Sequence, residues 1–169
     1  MKRSAAFLSL SLAALALVAT PALARHDIPA PAASPAFEKI KALAGDWKGK
    51  SPEGEVTVSY RVVSSGSAVI EEMSHGNMVT VYHQDGDRLM MTHYCMAQNQ
   101  PRMRTEPVKG DPKSLKFSMV DVTNLAKPTD MHMTGLTISF LDANHISQEW
   151  TFSENGKDTP ATFTYERAK

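Results

Sequence analysis

The side chains with most chemical reach in this chain are Met78, His93 and Cys95, whose thioether, imidazole and thiol are donors that suit Cu(I). Met131-His132-Met133 repeats that chemistry, and nine methionines remain once Met1 is set aside. Methionine also fills irregular apolar gaps and lines adaptable pockets. A copper site at Met78, His93 and Cys95 therefore stands as the alternative to an ordinary apolar cavity. Glu71 and Arg104 are expected beside them as polar marks on an otherwise apolar face. A buried Glu and Arg satisfy one another as readily as they hold a ligand, so both readings stay open. Hydrolase, zinc-protease, phosphate-loop and paired-cysteine motifs are all missing from the sequence. His93 and Cys95 are no catalytic dyad by spacing, since i and i+2 on a strand lie about 6.5–7 Å apart. A barrel enzyme acting through Glu71 and His93 has no motif behind it.

These residues are positioned by hairpins. A two-residue type I′ turn at Asp85-Gly86 pairs Gln84 with Asp87, and then Tyr82 with Leu89, Thr80 with Met91 and Met78 with His93. That face, which also takes Cys95, carries no charge and is read as the inside. The preceding turn falls at His75-Gly76 or Gly76-Asn77. A two-residue loop there turns Val69, Glu71 and Met73 inward and Glu72 outward, whereas a three-residue loop reverses them. A four-residue loop over Ala97 to Gln100 brings Arg104 opposite His93.

Short alternating segments such as Val56-Thr57-Val58-Ser59-Tyr60, Thr134 to Leu141 and Thr162 to Tyr165 recur along the chain. Turn signals separate them at Ser65-Gly66, His75-Gly76-Asn77, Gly110-Asp111-Pro112 and Asn155-Gly156. About ten strands follow from this pattern, with one longer connection around Thr123 to Thr129. Asp121, Asn124 and Asp130 sit near it as turn caps or rim contacts. Ahead of the strands, Ser34 caps and Pro35 opens one helix of about ten residues; Phe37, Ile40, Leu43 and Ala44 share a face, and Gly45 ends it. The fold class is all-β: an antiparallel up-and-down barrel of about ten strands after one short helix. Closure removes the two open edges of such a meander, and a two-sheet sandwich is the alternative.

The N-terminus reads as a secretory signal over residues 1–24. Lys2 and Arg3 precede an apolar run over Ala5 to Ala19, and Ala22-Leu23-Ala24 is a small-x-small cleavage site. The run is shorter than the roughly 20 residues that span a bilayer. Residues 25–33 form a Pro/Ala leader, and 34–169 the barrel domain. The whole chain carries 18 basic and 18 acidic groups; without Lys2 and Arg3 its net charge becomes −2. That balance argues against a nucleic-acid or anionic-membrane binder, since both need a basic face. One cysteine cannot make an intrachain disulfide, and an exported thiol is expected to be buried.

Gly45-Asp46-Trp47, just after a short helix at the first strand, with Arg167 in the last, resembles the calycin superfamily: lipocalins, fatty-acid-binding proteins and nitrobindin-type barrels. The resemblance implies that Arg167 packs over Trp47 to close the barrel base. His93-Tyr94-Cys95 with Asn99-Gln100-Pro101-Arg102 is similar to a pattern in uncharacterised exported bacterial proteins. Nitrobindin-type barrels hold haem through a histidine near the chain end, and Phe163 to Arg167 contains none, so the resemblance stops short of haem. The expected function is an exported small-molecule binder with an enclosed, mostly apolar cavity. Its contacts would be Glu71, Tyr82, His93, Cys95 and Arg104, with no cofactor specified and no membrane insertion after signal cleavage. A barrel that only packs or interacts, without a ligand, is the competing class.

Overall fold

The computed structural model of the protein describes residues 32–51 and 54–169. The expected signal segment and most of the leader lie outside them. Helix α1 spans Pro35–Lys41, capped by Ser34, whose Oγ accepts from the Phe37 amide at 3.2 Å. It is shorter than the apolar period suggests. Ala42 already caps its C-terminus, so Leu43 is buried from a turn and Ala44 faces solvent. Gly45 begins the first strand rather than ending the helix. Its φ of +123° suits glycine, and a Cβ there would stand 3.2 Å from Arg167 Nη1.

Ten strands follow: β1 Gly45–Ser51, β2 Gly54–Val63, β3 Ala68–Met73, β4 Met78–Asp85, β5 Arg88–Tyr94, β6 Gln100–Thr105, β7 Ser114–Thr123, β8 His132–Phe140, β9 His145–Glu154 and β10 Lys157–Arg167. Each pairs antiparallel with its chain neighbours, and β1 pairs with β10 to close the barrel. Alternation explains the sheet: Val56, Val58 and Tyr60 of β2 are buried, while Thr57 and Arg61 face out. Each fully buried large apolar side chain contributes about 1.5–3 kcal/mol. Among the described residues no helix is long and apolar enough to cross a membrane.

Turn chemistry moves the registers away from the sequence expectation. The β4–β5 hairpin turns at Gly86-Asp87, with Asp85 opposite Arg88. Gly86 takes φ +60° and Asp87 has no positive φ, so glycine occupies the first turn position, as type II′ requires. The pairs become Thr80 with His93 and Tyr82 with Met91, a shift of two that leaves every side chain on its expected face. Met73 pairs with Met78 across a four-residue connection, which keeps Glu71 inside. Glu72 points out to Arg61 at 2.9 Å.

The β5–β6 connection corrects a larger expectation. Cys95 and Asn99 face one another, joined by the Cys95 amide to the Asn99 carbonyl at 3.1 Å. Three residues form the loop, not four, and Gln98 takes the left-handed position at φ +64°. One residue fewer inverts the faces of β6. Arg104 is therefore on the outer wall, between Met90 and Ser118, and Met103 takes the inner place.

One end of the barrel is stoppered. Ser34 donates its amide to Gln84 Oε1 at 2.6 Å, which seats α1 at the far end of β4. Beside it Arg167 lies 4.3 Å over the Trp47 ring and donates to the Ala44 and Ala42 carbonyls at 2.8 and 2.9 Å. The indole donates in turn to the Leu43 carbonyl at 2.8 Å. The guanidinium thus satisfies carbonyls left over at the helix end while it stacks on the indole.

Candidate functional site

Tyr60, Glu71, Thr80 and His93 stand in one row across β2 to β5, each opposite the next. All four are buried. From the opposite wall, Gln148 of β9 reaches across the interior and donates to Glu71 Oε1 at 2.8 Å and to the Tyr60 hydroxyl at 2.7 Å. Tyr82 donates to Glu71 Oε2, and Trp150 Nε1 donates to Gln148 Oε1 at 3.1 Å. The middle of the barrel is therefore filled by a polar bolt rather than by the open chamber that the sequence suggests. Burial raises the Glu71 carboxyl above its ordinary value, while hydrogen bonds from Tyr82, Gln148 and Tyr60 pull it back. Burial, then the Glu71 charge, pushes Tyr60 and Tyr82 well above the usual phenol range. Among the described residues no arginine joins this network, so the expected Glu–Arg pair is replaced by a carboxyl held by two phenols and an amide.

His93 sits at the edge of the bolt. Its Nδ1 is 2.9 Å from Thr80 Oγ1 and its ring lies against Trp150, centroids 4.8 Å apart. Burial lowers the imidazole to about 4, so it is neutral at pH 7. Nε2 is buried with no hydrogen-bond partner among the described residues.

Beyond Trp150, at the end remote from α1, a pocket of about 110 Å³ opens. Met73, Met78, Met133, Trp150 and Phe163 form its wall, and His75, Met96 and Met131 its rim, with Cys95 between them. Every side chain that lines it is a hydrocarbon, a ring or a sulfur donor, and none is a carboxylate, hydroxyl or amide. The sulfur-bearing residues arrive from three connections, β3–β4, β5–β6 and β7–β8, which an up-and-down barrel places at the same end. A Cβ on Gly76 would stand 2.8 Å from Met96 Sδ and 3.4 Å from Met78 Cγ, so both side chains converge on the loop that carries His75. Asn99 Nδ2 donates to the Met131 carbonyl at 2.8 Å and ties the β7–β8 connection to the rim. Burial raises the Cys95 thiol, while its sulfur accepts from the Ala97 amide at 3.5 Å.

Of the five ligand contacts expected from sequence, only Cys95 lines the pocket. Glu71 and Tyr82 are bonded to each other, His93 lies one layer deeper behind Trp150, and Arg104 is outside. The expected copper triad is divided in the same way: Met78 and Cys95 reach the pocket and His93 does not. Among the described residues no three of His, Cys, Asp and Glu gather as a metal site. The residues that sequence reasoning missed are Tyr60, Gln148 and Trp150 in the bolt, and His75 and Met96 at the mouth, where Met131 and Met133, marked in the sequence for their soft donors, join the inward-facing Met73. Arg102 and Asn124 act structurally: Arg102 Nε bonds Asp121 Oδ1 at 2.6 Å on the outer wall, and Asn124 donates to the Gln98 carbonyl. Asp130 accepts from the Lys127 amide at 2.8 Å, a turn cap.

No family model matches the chain, and no curated protein matches it. Among solved structures the chain is similar to a protein of unknown function from the DUF3598 family of Nostoc punctiforme. The TM-score is 0.51 and the identity 13%, over 76% of this chain and 48% of that one. The chain thus spans about half of that protein's length, and the likeness is one of barrel fold. A redesigned β-barrel is a looser neighbour, with a TM-score of 0.35 and 11% identity over 77% of this chain and 95% of that one.

Proposed function

We propose that this is an exported binding protein of calycin type, whose ligand site is the sulfur-lined pocket at the barrel end opposite α1. The observation that carries the reading is the lining. A pocket whose walls offer only hydrocarbon, aromatic rings and soft donors selects a ligand able to shed its water without replacement hydrogen bonds. At about 110 Å³ it takes a small molecule or the end of a larger one. Methionine suits such a site because its flexible, polarizable side chain adapts to the shape that enters. The Trp47–Arg167 contact supports the calycin relation, and the residue 1–24 pattern supports export.

The competing class, a barrel that only packs, draws on the filled middle and its satisfied bolt. Benzene is a suitable probe, since apolar cavities of comparable size admit it. Saturable benzene binding that alters Trp150 emission, together with a co-purifying small ligand in native mass spectra of protein from its own source, is the expected result. No entry of benzene and no co-purifying mass would favour the packing class instead.

A further inference from the structure

We propose that the pocket at the barrel mouth is a site for monovalent copper, held by methionine thioethers. The inference rests on the reading of this pocket as a ligand site and gives that ligand a chemical class. The donor set is the first argument. Met73, Met78, Met131 and Met133, each a thioether side chain, line one small volume, and Cys95 and His75 border the same space. Soft sulfur ligands select a soft ion such as Cu(I), while hard cations need the oxygen donors that this lining lacks.

The second argument is where the rim methionines stand. Met96 is 57% exposed, so burial of its side chain does not account for a methionine there. Its sulfur nevertheless folds back over Gly76, beside Met78 and the His75 loop. A rim residue that turns its thioether toward the mouth, over walls that carry more of the same group, is what capture of a soft ion requires. The third argument is anchorage. Three separate connections deliver the sulfurs, and Asn99 fixes the Met131 backbone to the β5–β6 turn, so their spacing is set by the barrel. Thioethers carry no proton, so the ion displaces none from them on binding. Trp150 closes the floor and reports occupancy, whereas Trp47 lies at the opposite end under Arg167.

The test uses purified protein carrying Trp47→Phe, titrated anaerobically with Cu(I) against a chromophoric Cu(I) chelator, and with Ag(I) as a redox-inert substitute. One Cu(I) per chain, quenched Trp150 emission and no retention of Zn(II) or Ca(II) are expected. The double variant Met78→Leu/Met131→Leu keeps volume and apolarity but removes two sulfurs. It should bind Cu(I) at least about tenfold more weakly and still admit benzene. Failure to retain Cu(I) while benzene enters overturns the copper inference and leaves the pocket reading intact. Equal Cu(I) affinity in the Leu variant also overturns it, because the metal would then sit elsewhere. Exclusion of both probes removes the pocket reading together with the inference.

Discussion

With Nδ1 against Thr80 and its ring on Trp150, His93 is held neutral by burial. Its folded pKa, about 4, lies below the ordinary 6.5. The unfolded chain therefore binds more protons between those values. The stability that His93 contributes is present above pH 6.5 and is lost as pH falls toward 4. Glu71, whose pKa is raised, works in the opposite sense: its contribution is full below the ordinary carboxyl range and is lost as pH rises. A comparison of variants separates the two. Between pH 7 and 4.5 the protein should lose about 2–3 kcal/mol more stability than His93→Gln. Urea unfolding at both pH values checks this, and equal losses would mean that the imidazole is solvated. At the other end of the barrel, Trp47→Ala should cost about 3–5 kcal/mol and Arg167→Ala about 1–3. The double variant should lose less than the sum by about 1 kcal/mol, and additive losses would show that the stacked pair is not coupled.

The strands and their inward faces are legible in the sequence because alternation over β2, β4, β5 and β10 is regular and turn residues bound each segment. Loop length is where legibility ends. The β4–β5 turn needed the distinction between glycine at the first and second turn positions, and a two-residue shift there is harmless to the faces. The β5–β6 turn sets Gln98 in the left-handed region, a residue type that gives no turn signal, and the single-residue error inverted β6 and Arg104 with it. Closure makes its own demand at Gly49. A Cβ at that position would lie 1.8 Å from the Thr164 carbonyl oxygen of β10, a backbone atom that cannot rotate away. Gly49→Ala should cost at least about 1–3 kcal/mol and loosen the β1–β10 seam. Hydrogen exchange should show faster exchange at the paired amides of Lys48, Lys50 and Thr164, and unchanged rates would place the strain elsewhere.

For the molecule as a whole, fold class follows from strand number and closure, but the contents of the barrel do not. Gln148 meets Glu71 across 77 positions of chain, a contact that alternation marks only as inward. The pocket was closer to legibility than the bolt. Alternate connections of an up-and-down barrel share an end, and methionines flank or occupy three of them: Met73 and Met78, Met96, then Met131 and Met133. Counting methionines by barrel end would have shown the cluster. One end is stoppered by α1, Trp47 and Arg167, the middle is bolted by Glu71 and Gln148, and the other end presents sulfur to the outside.

The claim that this open end is the ligand site is tested most directly by protein labelled with ¹³C at the methionine methyls and titrated with benzene. The methyl signals of Met73, Met78, Met131 and Met133, with Met96 at the rim, should shift saturably, while those of Met90, Met103 and Met119 stay in place. Pocket methyls that do not move, or shifts confined to Met90 and Met119 on the outer wall, would contradict it.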